Sequence, residues 1–325
     1  MKRQLLLSAA FLAGQIALLG MPVAHAQESR YPSTAIRIVV PSPPGGPVDV
    51  VGRVVAQQLS SVLGTTVVEN RPGAAGVLAT RFVINTAPDG HTALIAANSM
   101  LAVQKANRNA GYDVERDLIA LLTMGWIPNI MVASPSLPVT SVRDVIDLSR
   151  TRKLNYGTIG VGSTTHIMTE YLFGVLARTN IQHVPYAGAG AALTALMSDQ
   201  LELASVAMLA AVPLVKSNKV KALAVTSSRR VSALPNVPTL AEAGFPGNDY
   251  ITWVGFFMPA RTPRAVVDGF TEAVLKVSAM PETKERLAAV AFEIETRSGE
   301  EFRRQVSDEL KKWATVIETT GVKID

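Results

Sequence analysis

The stretch that most narrows the possible folds is Ile36-Arg37-Ile38-Val39-Val40-Pro41-Ser42-Pro43-Pro44-Gly45-Gly46-Pro47-Val48-Asp49. Ile36 to Val40 is short and β-branched, as suits a parallel strand covered on both faces. Pro41, Pro43 and Pro44 deny the turn a helical continuation, and Gly45-Gly46 free the backbone. Pro47 stands where a first helical residue belongs, since its missing N–H would have had no partner there. Val51, Val54, Val55, Leu59 and Val62 then follow a helical stripe. The pattern predicts a helix N-terminus beyond the carboxyl end of a strand, an arrangement that attracts small anions. The plainer alternative is an ordinary strand-to-helix connection.

The grammar repeats. Thr66 to Glu69 reads as a strand, Asn70 to Gly76 as a Gly-rich loop, Val77 to Asn85 as a helix and His91 to Ala97 as a strand. Alternating strands and helices imply a parallel sheet with ligand-gathering loops at the strand ends. A second series starts at Asn129–Ala133, with a helix over Val142–Thr151 capped by Thr140 or Ser141. It continues through a strand at Leu154–Thr158, a glycine-rich turn, a helix to Arg178 and strands at Ile181–Pro185, Leu201–Met208 and Val220–Ser227. Asn236–Gly244 predicts a short capped helix, and Trp253–Met258 a strand returning to the first half. Helices follow over Pro263–Ser278, Pro281–Ala289 and Ser298–Thr319. The expected domains are lobe 1 from 27–129 and 251–325 and lobe 2 from 130–250, joined by two crossing strands.

The start of the chain stands apart. Lys2 and Arg3, the apolar run Leu5–Leu19 and Ala24-His25-Ala26 have the order of a secretory signal peptide, residues 1–26. Export to the periplasm is the expectation. Of a formal net charge of +5, two charges belong to Lys2 and Arg3, and no Lys/Arg block follows, so nucleic acid is not an expected partner. The chain has no Cys, which an oxidising compartment permits.

Few residues suggest covalent chemistry. His91, His166 and His183 lack metal-ligand spacing, so no metal and no cofactor is expected. The Gly45-Gly46 turn lacks the Lys-Ser/Thr of a nucleotide-binding loop. Ser163 and His166 could be a nucleophile and its base, but Ser163 at a helix start fits a cap, and no G-x-S-x-G is present. What remains is a set of backbone N–H groups, hydroxyls and amides on facing rims, at Ser42, Gly45, Gly46, Asn98, Ser99, Ser163 and Thr164. That set suits a carboxylate and lacks the acid/base pair of an enzyme. Tyr186 is a further candidate, and Asp49 complements the first helix dipole.

Pro41–Asp49, Glu69-Asn70-Arg71-Pro72-Gly73, Ala87-Pro88-Asp89-Gly90, Leu154-Asn155-Tyr156-Gly157, His183-Val184-Pro185-Tyr186, Ala222–Thr226 and Val237-Pro238-Thr239 occur in an order that resembles the Bug-type extracytoplasmic solute receptors of tripartite tricarboxylate transporters. The resemblance implies an α/β fold, the two-lobed periplasmic binding protein of type II. Two parallel-type mixed sheets would be joined by a hinge of two crossing strands. It further implies a monomer that closes on a small carboxylate ligand and serves membrane transporter subunits. The first loop, Pro43 to Asp49 with Pro44 in its turn, would hold waters that bridge to a ligand carboxylate, and Ser163 and Thr164 would oppose it. Members that bind amino acids place an Asp where Val206 stands, so an aliphatic Val206 implies an acid without an amino group. A ligand-presenting sensor component and an exported hydrolase are the competing functions.

Overall fold

The computed structural model describes residues 31–107 and 109–322, so the segment read as a signal peptide lies outside the described residues. From Thr34 onward the chain forms one compact unit. β1 (Ile36–Val40) leads through the Pro/Gly turn into α1 (Pro47–Leu63), with Pro47 opening the helix. β2 (Thr66–Asn70), α2 (Val77–Ile84) and β3 (Thr92–Ala97) follow, and β1 lies parallel between β2 and β3. α3 (Ser99–Ala106) and α4 (Val114–Asp117) then carry the chain to β4 (Leu118–Ala133).

The second half builds a similar unit. α5 (Val142–Ser149) starts with a capping box between Ser141 and Asp144. β5 (Asn155–Thr158) precedes α6 (Thr164–Glu170), which runs on in π-helical geometry over Tyr171–Leu176. β6 (Gln182–Pro185), α7 (Ala189–Met197) and β7 (Leu203–Ala207) follow, with β5 parallel between β6 and β7. α8 (Met208–Lys216) leads to β8 (Lys221–Val225), and β9 (Ile251–Pro259) returns antiparallel to β3 and β4. The chain ends with α9 (Arg264–Ala279), α10 (Pro281–Ala288), β10 (Glu293–Ser298) and α11 (Gly299–Thr320).

The strand order β2-β1-β3-β9-β4-β7-β5-β6 makes β4 common to both sheets, with β8 and β10 also pairing to it. Leu118 to Pro128 pair with β9, whereas Asn129 to Ala133 pair with β7, and Ile130 to Ala133 with β8 as well. Pro128 has no N–H for a ladder and stands at the seam where one set of partners gives way to the other. Beyond the seam both faces of β4 are covered. Met131 and Ala133 join the core shared with α5 and α6, and Ile130 and Val132 join a second core with α7 and β7. The architecture is the two-lobed type expected, with β4 and β9 as the crossing strands.

α11 ties the halves further. Its buried Phe302, Val306, Leu310, Trp313 and Val316 recur at helical spacing and pack it against α3 and β4, and also against α6 and its π-helical extension. Gly255 of β9 makes room for it, because a Cβ there would lie 2.6 Å from Cζ of Phe302.

Several elements differ from expectation. β4 begins at Leu118 rather than Asn129, since polar Thr123, Gly125 and Pro128 interrupt its apolar pattern. Met208 starts α8 instead of ending a strand. β10 is half-buried, and Glu293, Glu295 and Arg297 hide its strand signal. Asn236–Gly244 forms turns, not a helix. Thr239 Oγ1 accepts the Glu242 N–H at 3.1 Å and Glu242 accepts the Thr239 N–H at 2.8 Å, but Gly244 at φ 100° ends the turn at once.

His166 of α6 stacks on His183 of β6, ring centroids 3.8 Å apart. His166 Nδ1 accepts the Gly162 N–H at 3.1 Å, and His183 Nε2 lies 2.7 Å from the Thr158 hydroxyl. Burial pushes His166 down to about 4; burial, with His166 alongside, pushes His183 down to about 3. In the unfolded chain both imidazoles take up protons below about pH 6.5, while in the native state they stay neutral until far lower pH. Their contribution to stability is therefore complete above pH 6.5 and is lost as pH falls towards 4. Urea unfolding at pH 7 and pH 5 should show this loss, and it should shrink in a His166→Gln, His183→Asn variant. An identical pH dependence in both proteins would remove the pair as its source.

Candidate functional site

The loops after β1, β2, β3 and β5 and the end of β7 converge with the two crossing strands on a cleft of about 360 Å³. α1, α3 and α6 all begin at its edge, through Pro47 and Val48, Ser99, and Thr164 and Thr165. Helix starts leave N–H groups without intrahelical acceptors and carry partial positive charge. Hydroxyls of Ser42, Ser99, Ser163, Thr164 and Thr165 add to this polar arc. Ser42 Oγ is buried and has no hydrogen-bond partner in the protein. The rest of the lining is largely apolar, with Pro72, Ala75 and Ile127, and with Ile159 and Val161, 38% and 43% exposed. No charged side chain is among the residues lining the cleft.

Of the sequence-predicted residues, Ser42, Ser99, Ser163 and Thr164 meet in this lining. The others stand behind or beside it. Asp49 is 1% exposed, and its carboxylate accepts the Gly45 N–H at 2.8 Å, Arg53 Nε at 2.9 Å and Asn70 Nδ2 at 2.7 Å. Burial pulls its pKa upward, and the hydrogen bonds from Arg53, Asn70 and Gly45 outweigh this and hold it below the usual carboxylate range. Asn70 also donates to the Ser42 carbonyl at 3.0 Å. Asp49 is thus the knot that shapes the first loop. Gly45 sits at φ 83°, a conformation that favours glycine, and turns its N–H back to that knot. Gly46 N–H donates to the Pro43 carbonyl at 3.3 Å. Pro44, Gly45 and Gly46 consequently form the outer turn, with these N–H groups committed within the loop, and do not line the cleft.

Tyr186 and Val206 are corrected likewise. Both lie at the second core, Val206 fully buried within it and Tyr186 packed against it. Alternation along β7 turns Val206 inward and leaves Ala207 at the cleft. Asn98 is 3% exposed and bonded on several sides, as described below. Ser163 Oγ meets the Gly160 carbonyl at 2.8 Å, the Thr165 hydroxyl at 3.1 Å and the His166 backbone N–H at 3.2 Å. Those are the bonds of a cap, and the His166 ring is taken up by Gly162 and His183.

Sequence reasoning missed the cleft floor. Asn129 of β4 and Thr252 of β9 line it and share a 3.1 Å hydrogen bond from Nδ2 to Oγ1. The available signal was a lone amide inside the apolar run Ile127–Ala133.

The model of the "Tripartite tricarboxylate transporter family receptor" matches residues 51–322. BugT of Bordetella pertussis is 31% identical over 299 residues, covering 90% of this chain and 91% of BugT. A Rhodopseudomonas palustris protein solved with adipate superposes with a TM-score of 0.83 at 31% identity, over 90% of this chain and 99% of that one. MatC of the same organism, solved with malate, gives 0.80 at 28% identity, over 88% and 100%. With an ordered cleft between two sheets and a family match over most of its length, this chain belongs to the tripartite tricarboxylate transporter receptors, the Bug-type solute-binding proteins.

Proposed function

We propose that this receptor captures, in the periplasm, a small carboxylic acid that has no amino group and passes it to the membrane subunits of a tripartite tricarboxylate-type transporter. The observation that carries the ligand class is the uncharged lining. An ammonium taken into a closing cleft needs a carboxylate partner, because an unpaired buried charge costs several kcal/mol. Asp49, the acid of the first loop, is committed to Gly45, Arg53 and Asn70. A carboxylate, by contrast, finds N–H groups at helix starts and the hydroxyls of Ser42 and Ser99. Pro72, Ala75, Ile127, Ile159 and Val161 receive the hydrocarbon part. Adipate and malate on related proteins fit the same chemistry. The aliphatic Val206, being in the core, carries none of this reading.

Export follows from the basic and apolar start ending in Ala24-His25-Ala26, and no described helix is long and apolar enough to cross a membrane. The moving bodies are 27–129 with 251–325, and 130–250, acting as a monomer hinged on β4 and β9.

Three measurements test these points. Isothermal titration of unfolded and refolded protein should show succinate binding at least about tenfold tighter than aspartate, or ~1.4 kcal/mol. A tighter amino acid in that or any matched pair would sink the ligand class. Small-angle scattering should show compaction with a bound acid, and an unchanged radius of gyration at saturation would count against hinge closure. Gly46→Val should weaken binding about tenfold with little loss of stability. Its φ of −70° and ψ of 161° suit valine, but a Cβ there would lie 3.2 Å from Ser42 Oγ in the cleft wall. Unchanged affinity in the folded variant would remove Ser42 from the site.

A further inference from the structure

Asn98 follows β3 at the start of α3 and is 3% exposed. Its Nδ2 donates to the Ile251 carbonyl of β9 at 2.9 Å and towards Glu309 Oε2 of α11 at 3.4 Å. Its backbone N–H donates to the Trp253 carbonyl at 3.3 Å. With both amide hydrogens directed to these acceptors, Oδ1 is left to face the other way. There it accepts the hydroxyl of Thr164, the first residue of α6 on the opposite rim, at 3.2 Å. Among the described residues no other pair of side chains hydrogen-bonds from the one rim to the other, apart from Asn129 and Thr252 on the floor.

Behind Asn98 the orientation is fixed by a buried acid. Glu309 accepts the indole N–H of Trp253 and the Gln305 amide, the latter at 3.4 Å, and burial raises its pKa. α11, which carries Glu309, packs against both α3 and α6, the helices that begin at the two rims. A pure acceptor at this position suits two donors arriving from Asn98 and Trp253.

We propose that Asn98 is a positioning residue that latches the closed cleft through Thr164, and that Glu309 holds it in the orientation that accepts the Thr164 hydroxyl. The latch acts on the closed form rather than on the ligand. It rests on the reading of the cleft as one that opens and closes, and it deepens that reading by assigning closure to a named bond. Removing the bond shifts the open–closed balance by roughly two- to tenfold, the net worth of one hydrogen bond.

The chain has no cysteine, so it accepts a spin-label pair without background. Leu78→Cys on α2 and Leu176→Cys after α6 use exposed positions, 54% and 40% accessible, one on each half. Electron–electron distance distributions on ligand-free protein should show a short, closed component. Asn98→Ala and Thr164→Val should each lower that component, by roughly two- to tenfold in the closed-to-open ratio. The double variant should lower it no further, as expected for one shared bond. Glu309→Gln, which replaces one acceptor oxygen by a donor, should give an intermediate shift. A structural role alone would lower the melting temperature and leave the distances as they were, and that result in both Asn98→Ala and Thr164→Val overturns the latch. Because no ligand is added, this outcome is separate from whether succinate or aspartate binds.

Discussion

The structure depends on one long strand, β4, which pairs in both sheets. A strand of 16 residues that serves two sets of partners has to change them somewhere, and Pro128 marks the place. A proline contributes no N–H, so it weakens the ladder where continuity matters least to either sheet. β9 runs alongside as far as that seam. Together they form a ribbon with the cleft on one face, through Ile127, Asn129 and Thr252, and Trp126 and Trp253 on the other side, beside a separate cavity of about 310 Å³. The indole N–H of each tryptophan is bound by a glutamate, Glu295 or Glu309. The floor of the binding site is thus made from the same strands that connect the halves.

A second constraint acts at the first loop. Asp49 gathers Gly45, Arg53 and Asn70 around its carboxylate, and Asn70 in turn holds the Ser42 carbonyl. The charges near the cleft are used to shape it and are spent before they reach its surface. What faces a ligand is a set of neutral dipoles and small hydroxyls. Such groups stabilise an anion when water is excluded, since a hydrogen bond is stronger in a low local dielectric. They offer no compensation to an ammonium.

Much of this is legible in the sequence. The buried runs of β1 and β3, the Pro/Gly turn into α1, the Ser141 and Ser163 caps and the long amphipathic α11 all follow from local rules. The clustering of Ser42, Ser99, Ser163 and Thr164 was also foreseeable, because loops at the carboxyl ends of parallel strands meet in space. Less legible were β10, whose polar half-buried residues carry no alternating signal, and the early start of β4. Thr239 and Glu242 misled, since they make the bonds of a helix start in a segment that Gly244 ends after one turn.

The sequence by itself determined the alternating architecture and the helix starts at the cleft. Those depend on residues close together in the chain, where propensity and spacing act directly. The tertiary structure alone decided which polar groups remain free. Gly45, Asp49 and Asn98 are drawn into bonds with residues far away in the chain or within the loop, and Val206 faces the core because its strand's pairing places it there. A strand alternates its faces every residue, so only the pairing partners and the layers on either side fix which face meets solvent.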